Sequence, residues 1–142
     1  MNNAITYRFN GAARKIKTPI GVSMPNGNPL EMVAAWDTGA TTSVITVDVA
    51  RRLNLCSEGA TVIKGVTGSQ SVDIYLVTFT LPNGFSKDIF AVSCSEVIGC
   101  DVLIGMDIIS AVDFAITSGS QGTTFSFRTP HGSEIDFSAC SG

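Results

Sequence analysis

Apolar and polar residues alternate with a period of two through much of this chain, the spacing that places successive side chains on opposite faces of a strand. Lys15 to Ser23 follows this pattern, as do Thr61 to Val66, Ser71 to Leu81, Phe85 to Ser93 and Thr123 to Arg128. Leu30 to Trp36 (LEMVAAW) is a near-continuous apolar run that reads as a strand. Thr42 to Thr46, Val102 to Ile104, Phe114 to Thr117 and Ile135 to Phe137 read as shorter strands. Ile5 to Phe9 is one alternating piece within a polar arm of residues 1–14. Turn clusters separate these runs at Met24 to Pro29, Thr67 to Gln70, Pro82-Asn83-Gly84 and Thr129-Pro130-His131-Gly132, the last read as a hairpin turn. Two stretches read as helices. Thr46 can cap Val47 to Leu53, with Asp48 in the first turn and Arg51 and Arg52 near the end, charges that match the helix dipole. A second, brief helix runs from Met106 to about Ala111 after Gly105. Strands at intervals of roughly eight to twelve residues predict a closed or sandwiched β architecture.

Composition agrees. The chain has 13 Val and 13 Ile against 6 Leu, and 29 Ser plus Thr. β-Branched side chains lose rotamer freedom in helices and pack well on a pleated surface. At 142 residues, a single domain is expected over 1–142, with its core at about 15–128 and enough chain to bury a real core without staples. Only 15% of residues are charged and the net charge is -3, so there is no basic footprint for nucleic acid. No apolar run reaches the length of a membrane span. The single histidine, His131, excludes a His-rich zinc site, and Cys56, Cys94, Cys100 and Cys140 show no CxxC spacing. No metal or cofactor is expected. The first twenty residues carry Arg8, Arg14, Lys15 and Lys17 and no signal-type apolar core, so the expected setting is cytoplasmic with reduced thiols. A Cys94–Cys100 disulfide stays open at this level.

One residue stands out. Asp37 ends the apolar run Leu30 to Trp36 and is followed by Thr38-Gly39-Ala40. A carboxylate in such a place is costly unless it is hydrogen-bonded or neutralised. Gly39 permits a tight turn with a backbone amide close to the acid, Thr38 can aim its hydroxyl inward, and the small Ala40 leaves room for a ligand. The plain alternative is an ordinary turn aspartate.

Asp37-Thr38-Gly39-Ala40, with Val33 to Trp36 before it and Ser43-Val44-Ile45 after it, resembles the catalytic loop of the aspartic proteases, specifically the single-domain retropepsin-like branch. Val102 to Ile109 (VLIGMDII) is similar to that family's late strand, glycine and short helix. Gly65-Val66-Thr67-Gly68 sits where the family carries its flap. The resemblance covers about residues 15–117 and implies a closed, β-barrel-like acid protease fold. It also implies an aspartic endopeptidase, with Asp37 catalytic, Thr38 tying two loops together, and Gly39 and Ala40 lining a cleft for an extended polypeptide. Gly65 to Gly68 would close over that cleft, against the alternative of a plain hairpin turn. Gly105 and Asp107 would be scaffold, with Asp107 capping the helix or pairing with Arg51 or Arg52.

Counting carboxylates adds a requirement. Water-mediated peptide hydrolysis needs one ionised and one protonated carboxyl, and this chain holds a single Asp-Thr-Gly. A homodimer would supply the second, since a two-fold axis sets an axis-proximal residue beside its own copy. The chain departs from the retroviral members at Thr41 and Thr42, where they tend to carry acidic residues, and it looks closer to cellular or bacterial relatives. The rival reading is a non-catalytic dimeric peptide-binding module with the same fold.

Overall fold

The computed structural model describes residues 3–95, 97, 99–132 and 134–139. In chain order the elements are β1 (Asn3–Arg8), β2 (Lys17–Ser23), β3 (Leu30–Trp36), β4 (Val44–Thr46), α1 (Val47–Arg52), β5 (Gly59–Gly65), β6 (Gly68–Thr80), β7 (Ser86–Cys94), β8 (Val102–Ile104), α2 (Met106–Ile109), β9 (Asp113–Gly119) and β10 (Gly122–Thr129). A 3₁₀ turn spans Phe137–Ala139.

Seven strands form one sheet in the order β2-β3-β8-β4-β7-β6-β5. Antiparallel pairing of Gly21, Val22 and Ser23 with Thr80, Phe79 and Thr78 joins β2 back to β6 and closes the sheet into a barrel. Closure pairs β2 on both sides and, among the described residues, leaves β5 as the open edge of this sheet. Strand alternation fills the interior: Ile20 and Val22, Met32 and Ala34, Val77 and Phe79, Ile89 and Ala91, and Val102 and Ile104 are all buried. α1 is built as its sequence dictates, with Thr46 Oγ1 accepting from Val49 N at 3.1 Å and Asp48 in the first turn.

A second sheet, β1-β10-β9, packs beside the barrel. On β10 the side chains of Thr123, Phe125, Phe127 and Thr129 are buried, while the residues between them are only half-buried. Trp36 bridges the two sheets. Its ring centroid lies 5.0 Å from Phe125, 5.2 Å from Phe127 and 6.1 Å from Phe114, all in tilted contacts. Burial against this layer pushes the Tyr7 phenol up.

The arm after β1 turns onto the start of β10. Phe9 N donates to Thr123 O at 2.9 Å, Thr123 N to Gly11 O at 3.1 Å, and Ala13 N to Thr123 Oγ1 at 2.8 Å. Gly122 makes this possible with φ at +141°, and a Cβ there would collide with Phe9 O and sit 2.6 Å from Gly11 O. Only glycine tolerates both the conformation and the contact.

Two details differ from the sequence expectation. Ile135 to Phe137 is not a strand. The Ser138 hydroxyl and amide both donate to the Asp136 carboxylate, at 2.5 and 2.9 Å, and this local bonding curls the chain into the 3₁₀ turn. Those bonds hold the Asp136 carboxyl below the usual carboxylate range. For the same reason Thr129 to Gly132 is no hairpin turn: among the described residues no strand follows β10. Instead Gly132 N donates to Asp113 Oδ1 at 3.2 Å.

Candidate active site

The site begins where β3 leaves the barrel. β3 runs parallel to β8, pairing Ala34, Ala35 and Trp36 with Val102, Leu103 and Ile104, and the ladder extends one step as Asp37 N donates to Ile104 O at 2.9 Å. On its other side, Trp36 N donates to Ile16 O at 2.9 Å, and Trp36 Nε1 to Thr18 Oγ1 at 3.0 Å. Asp37 is therefore placed by two neighbouring segments before the chain turns.

The turn is tight. Ala40 N donates to Asp37 O at 3.2 Å, and Gly39 N donates to Asp37 Oδ1 at 2.9 Å. Asp37 is half-buried, Thr38 and Gly39 are exposed, and Ala40 is half-buried. Among the described residues no further hydrogen bond reaches the Asp37 carboxylate. One oxygen is fixed by a backbone amide, and the other accepts from no group among the described residues.

Beyond the turn, the chain is fastened to α2. Ser43, fully buried, donates from its hydroxyl to Asp107 Oδ1 at 2.6 Å and from its amide to Asp107 Oδ2 at 2.9 Å. Gly105 N donates to Ser43 Oγ at 2.9 Å, and Met106 N donates to Ala40 O at 2.8 Å. Lys87 Nζ donates to Asp107 O at 2.7 Å. The expected pairing of Asp107 with Arg51 or Arg52 is not formed: Arg51 reaches Asp48 at 3.6 Å, on its own helix, and Asp107 serves the loop. Ser43 falls within the stretch that resembles the family's loop, but its side-chain role is not stated by that resemblance. Its signal was a polar residue just before the apolar Val44-Ile45, which only a partner 64 positions away could satisfy.

Gly105 allows the fastening to be close. A Cβ at this position would lie 2.7 Å from Ala40 O, 2.8 Å from the Thr42 carbonyl carbon and 3.0 Å from Ser43 N, all backbone that cannot move aside. Gly105→Ala is expected to cost about 1–3 kcal/mol by overpacking and to displace the Asp37 turn. Chemical unfolding would measure the first effect, and amide hydrogen exchange at the Asp37 turn the second.

Gly65, Val66, Thr67 and Gly68 lie elsewhere, at the tip of the β5–β6 hairpin. Gly65 and Gly68 face each other across a two-residue turn, shorter than the four-residue link the sequence suggested, and Gly68 to Gln70 belong to β6. Every residue of the tip is exposed, Val66 completely.

A recess of about 550 Å³ opens beside Asp37. Ala35, Leu103 and Val97 give it apolar surface, Cys100 contributes a thiol, and the exposed Arg14 and Lys15 also line it. Ala35 and Leu103 lie in stretches that resemble the family's motifs, whereas Arg14, Lys15, Val97 and Cys100 come from separated segments that only the barrel brings to them. Among the described residues no three His, Cys, Asp or Glu side chains are grouped to hold a metal ion. No helix among them is long and apolar enough to cross a membrane. Cys56, Cys94 and Cys100 are thiols and do not form disulfides; Cys140 lies outside the described residues.

No protein-family model matches the chain, and no curated protein matches it by sequence. Among solved structures it is similar to a retropepsin-like aspartic protease from Rickettsia conorii, at 13% identity over 90% of this chain and 92% of that one, with a TM-score of 0.62. It is also similar to the EIAV protease in complex with the inhibitor HBY-793, at 23% identity over 68% of this chain and 86% of that one, with a TM-score of 0.53. The chain has a retropepsin-like fold.

Proposed function

We propose that this protein is an aspartic endopeptidase that works as a homodimer, with Asp37 of each copy meeting at the two-fold axis. The observation that carries the reading is Asp37 itself. Its carboxylate sits at the end of a barrel strand, held by the Gly39 amide at 2.9 Å and bordering an open recess, within a fold shared with solved aspartic proteases.

Two carboxyl groups in hydrogen-bonding contact cannot both ionise cheaply, so the pair shares a proton. The ionised member takes a proton from the attacking water, and the protonated member polarises the peptide carbonyl. Their roles then reverse as the amine leaves. Thr38 ties the two turns together across the axis, and Gly39 and Ala40 form the cleft floor. The hairpin tip, Gly65 to Gly68, closes over an extended peptide and excludes water. Main-chain hydrogen bonds set its register. The chemistry uses no metal or cofactor, and the thiols at Cys56, Cys94 and Cys100 suit a reducing, cytoplasmic setting.

Cleavage of a diverse peptide mixture, followed across pH with and without a statine-type inhibitor, tests the reading. Activity is expected to peak on the acid side of neutral. A dimer that binds peptides but cleaves none at any pH would instead be the non-catalytic module.

A further inference from the structure

We infer that the recess beside Asp37 selects an acidic side chain of the substrate and that Arg14 sets this preference, an inference that rests on the peptidase reading above. The charge distribution is the starting point. The chain carries a net charge of -3, yet four of its nine cationic residues fall between positions 8 and 17. Two of these, Arg14 and Lys15, line the same recess as Asp37.

Arg51 and Arg128 lie against Asp48 and Asp113, at 3.6 and 3.2 Å, whereas Arg14 forms no ion pair among the described residues. Its guanidinium therefore has its fork of donors to offer, in a geometry that matches a carboxylate. Ala35, Val97 and Leu103 give the recess apolar surface beside Arg14, which itself is exposed. A peptide bound as a strand sends alternate side chains into such pockets, so a single Asp or Glu next to the scissile bond meets Arg14 while the backbone stays over Asp37.

Two measurements test this separately from catalysis. In the first, cleavage sites in a peptide mixture are mapped by mass spectrometry at low salt and at about pH 5.5, where free glutamate is mostly ionised. The native protein is expected to favour Asp or Glu at one position beside the cut by on the order of threefold to tenfold over Gln. Arg14→Gln removes the preference and Arg14→Glu turns it toward Lys and Arg. In the second, paired peptides that differ only by Glu or Gln are titrated into Asp37→Asn protein by fluorescence anisotropy. Tighter binding of the Glu peptide, weakened by salt and by Arg14→Gln, supports the inference even if no peptide is ever cleaved; that result would remove the peptidase reading alone. An unchanged cleavage profile in both Arg14 variants, or equal binding of the paired peptides, overturns it. Dissociation of both variants to monomers with selectivity retained also overturns it, and assigns Arg14 to the contact between copies.

Discussion

In the Asp37→Asn protein, peptide hydrolysis is expected to fall by at least about a thousandfold, within the range set by loss of a positioned acid–base group. The substitution is nearly isosteric. The amide oxygen can still accept from Gly39 N, and the backbone bonds from Asp37 N to Ile104 O and from Ala40 N to Asp37 O do not involve the side chain. The turn and the barrel should therefore survive, and circular dichroism and unfolding should match the native protein. Only the capacity to exchange a proton with water is removed. Hydrolysis at the native rate would place the chemistry elsewhere in the molecule, since no other residue is expected to compensate for both copies at once. Sedimentation across a concentration series gives a second check, because the variant should keep the assembly state of the native chain.

Trp36→Ala should be the most destabilising change outside the turn, at about 3–5 kcal/mol. The indole is where the barrel and the three-stranded sheet meet, against Phe114, Phe125 and Phe127. Removing it leaves a void bordered by aromatic rings that the two sheets hold apart, and it strands the Thr18 hydroxyl bonded to Nε1. The melting temperature is expected to drop by roughly 10–15 °C for a chain of this size. Trp36→Phe separates the contributions: it keeps most of the ring packing and loses the hydrogen bond, at about 1 kcal/mol. A loss below about 1 kcal/mol for Trp36→Ala would mean that the two sheets do not depend on this contact. Trp36 immediately precedes Asp37, so the variant should also lower turnover at temperatures where it remains folded.

What could be read from the sequence was local. Thr46 and the charges of α1 act within one turn of chain, and LEMVAAW followed by Asp-Thr-Gly states its own strand and turn, so both were visible without coordinates. The contacts that finish the site are distant in sequence. Ser43 and Asp107 are 64 residues apart, and each alone has an ordinary local reading, which for Asp107 is a helix cap or a pairing with Arg51 or Arg52. The recess draws on residues 14–16, 35–37, 97, 100 and 103, and no periodicity links such segments. Ile135 to Phe137 shows the opposite failure: the alternation is present, but Asp136 offers Ser138 a closer acceptor than any neighbouring strand. Strand ends moved for a similar reason, as at Gly68 to Gln70, where pairing with β5 extends into residues whose composition suggests a loop.

The clasp at Gly122 has a bearing on how a working pair would come about. β1 and the segment after it are engaged by β10 of the same chain, so trading this arm between copies would first have to break those bonds. If the proposed pair forms, each copy can then mature alone and meet its mate afterwards, by the docking of finished surfaces. Abundance would act as the trigger, with scarce molecules idle and output rising as the square of their number until most are coupled.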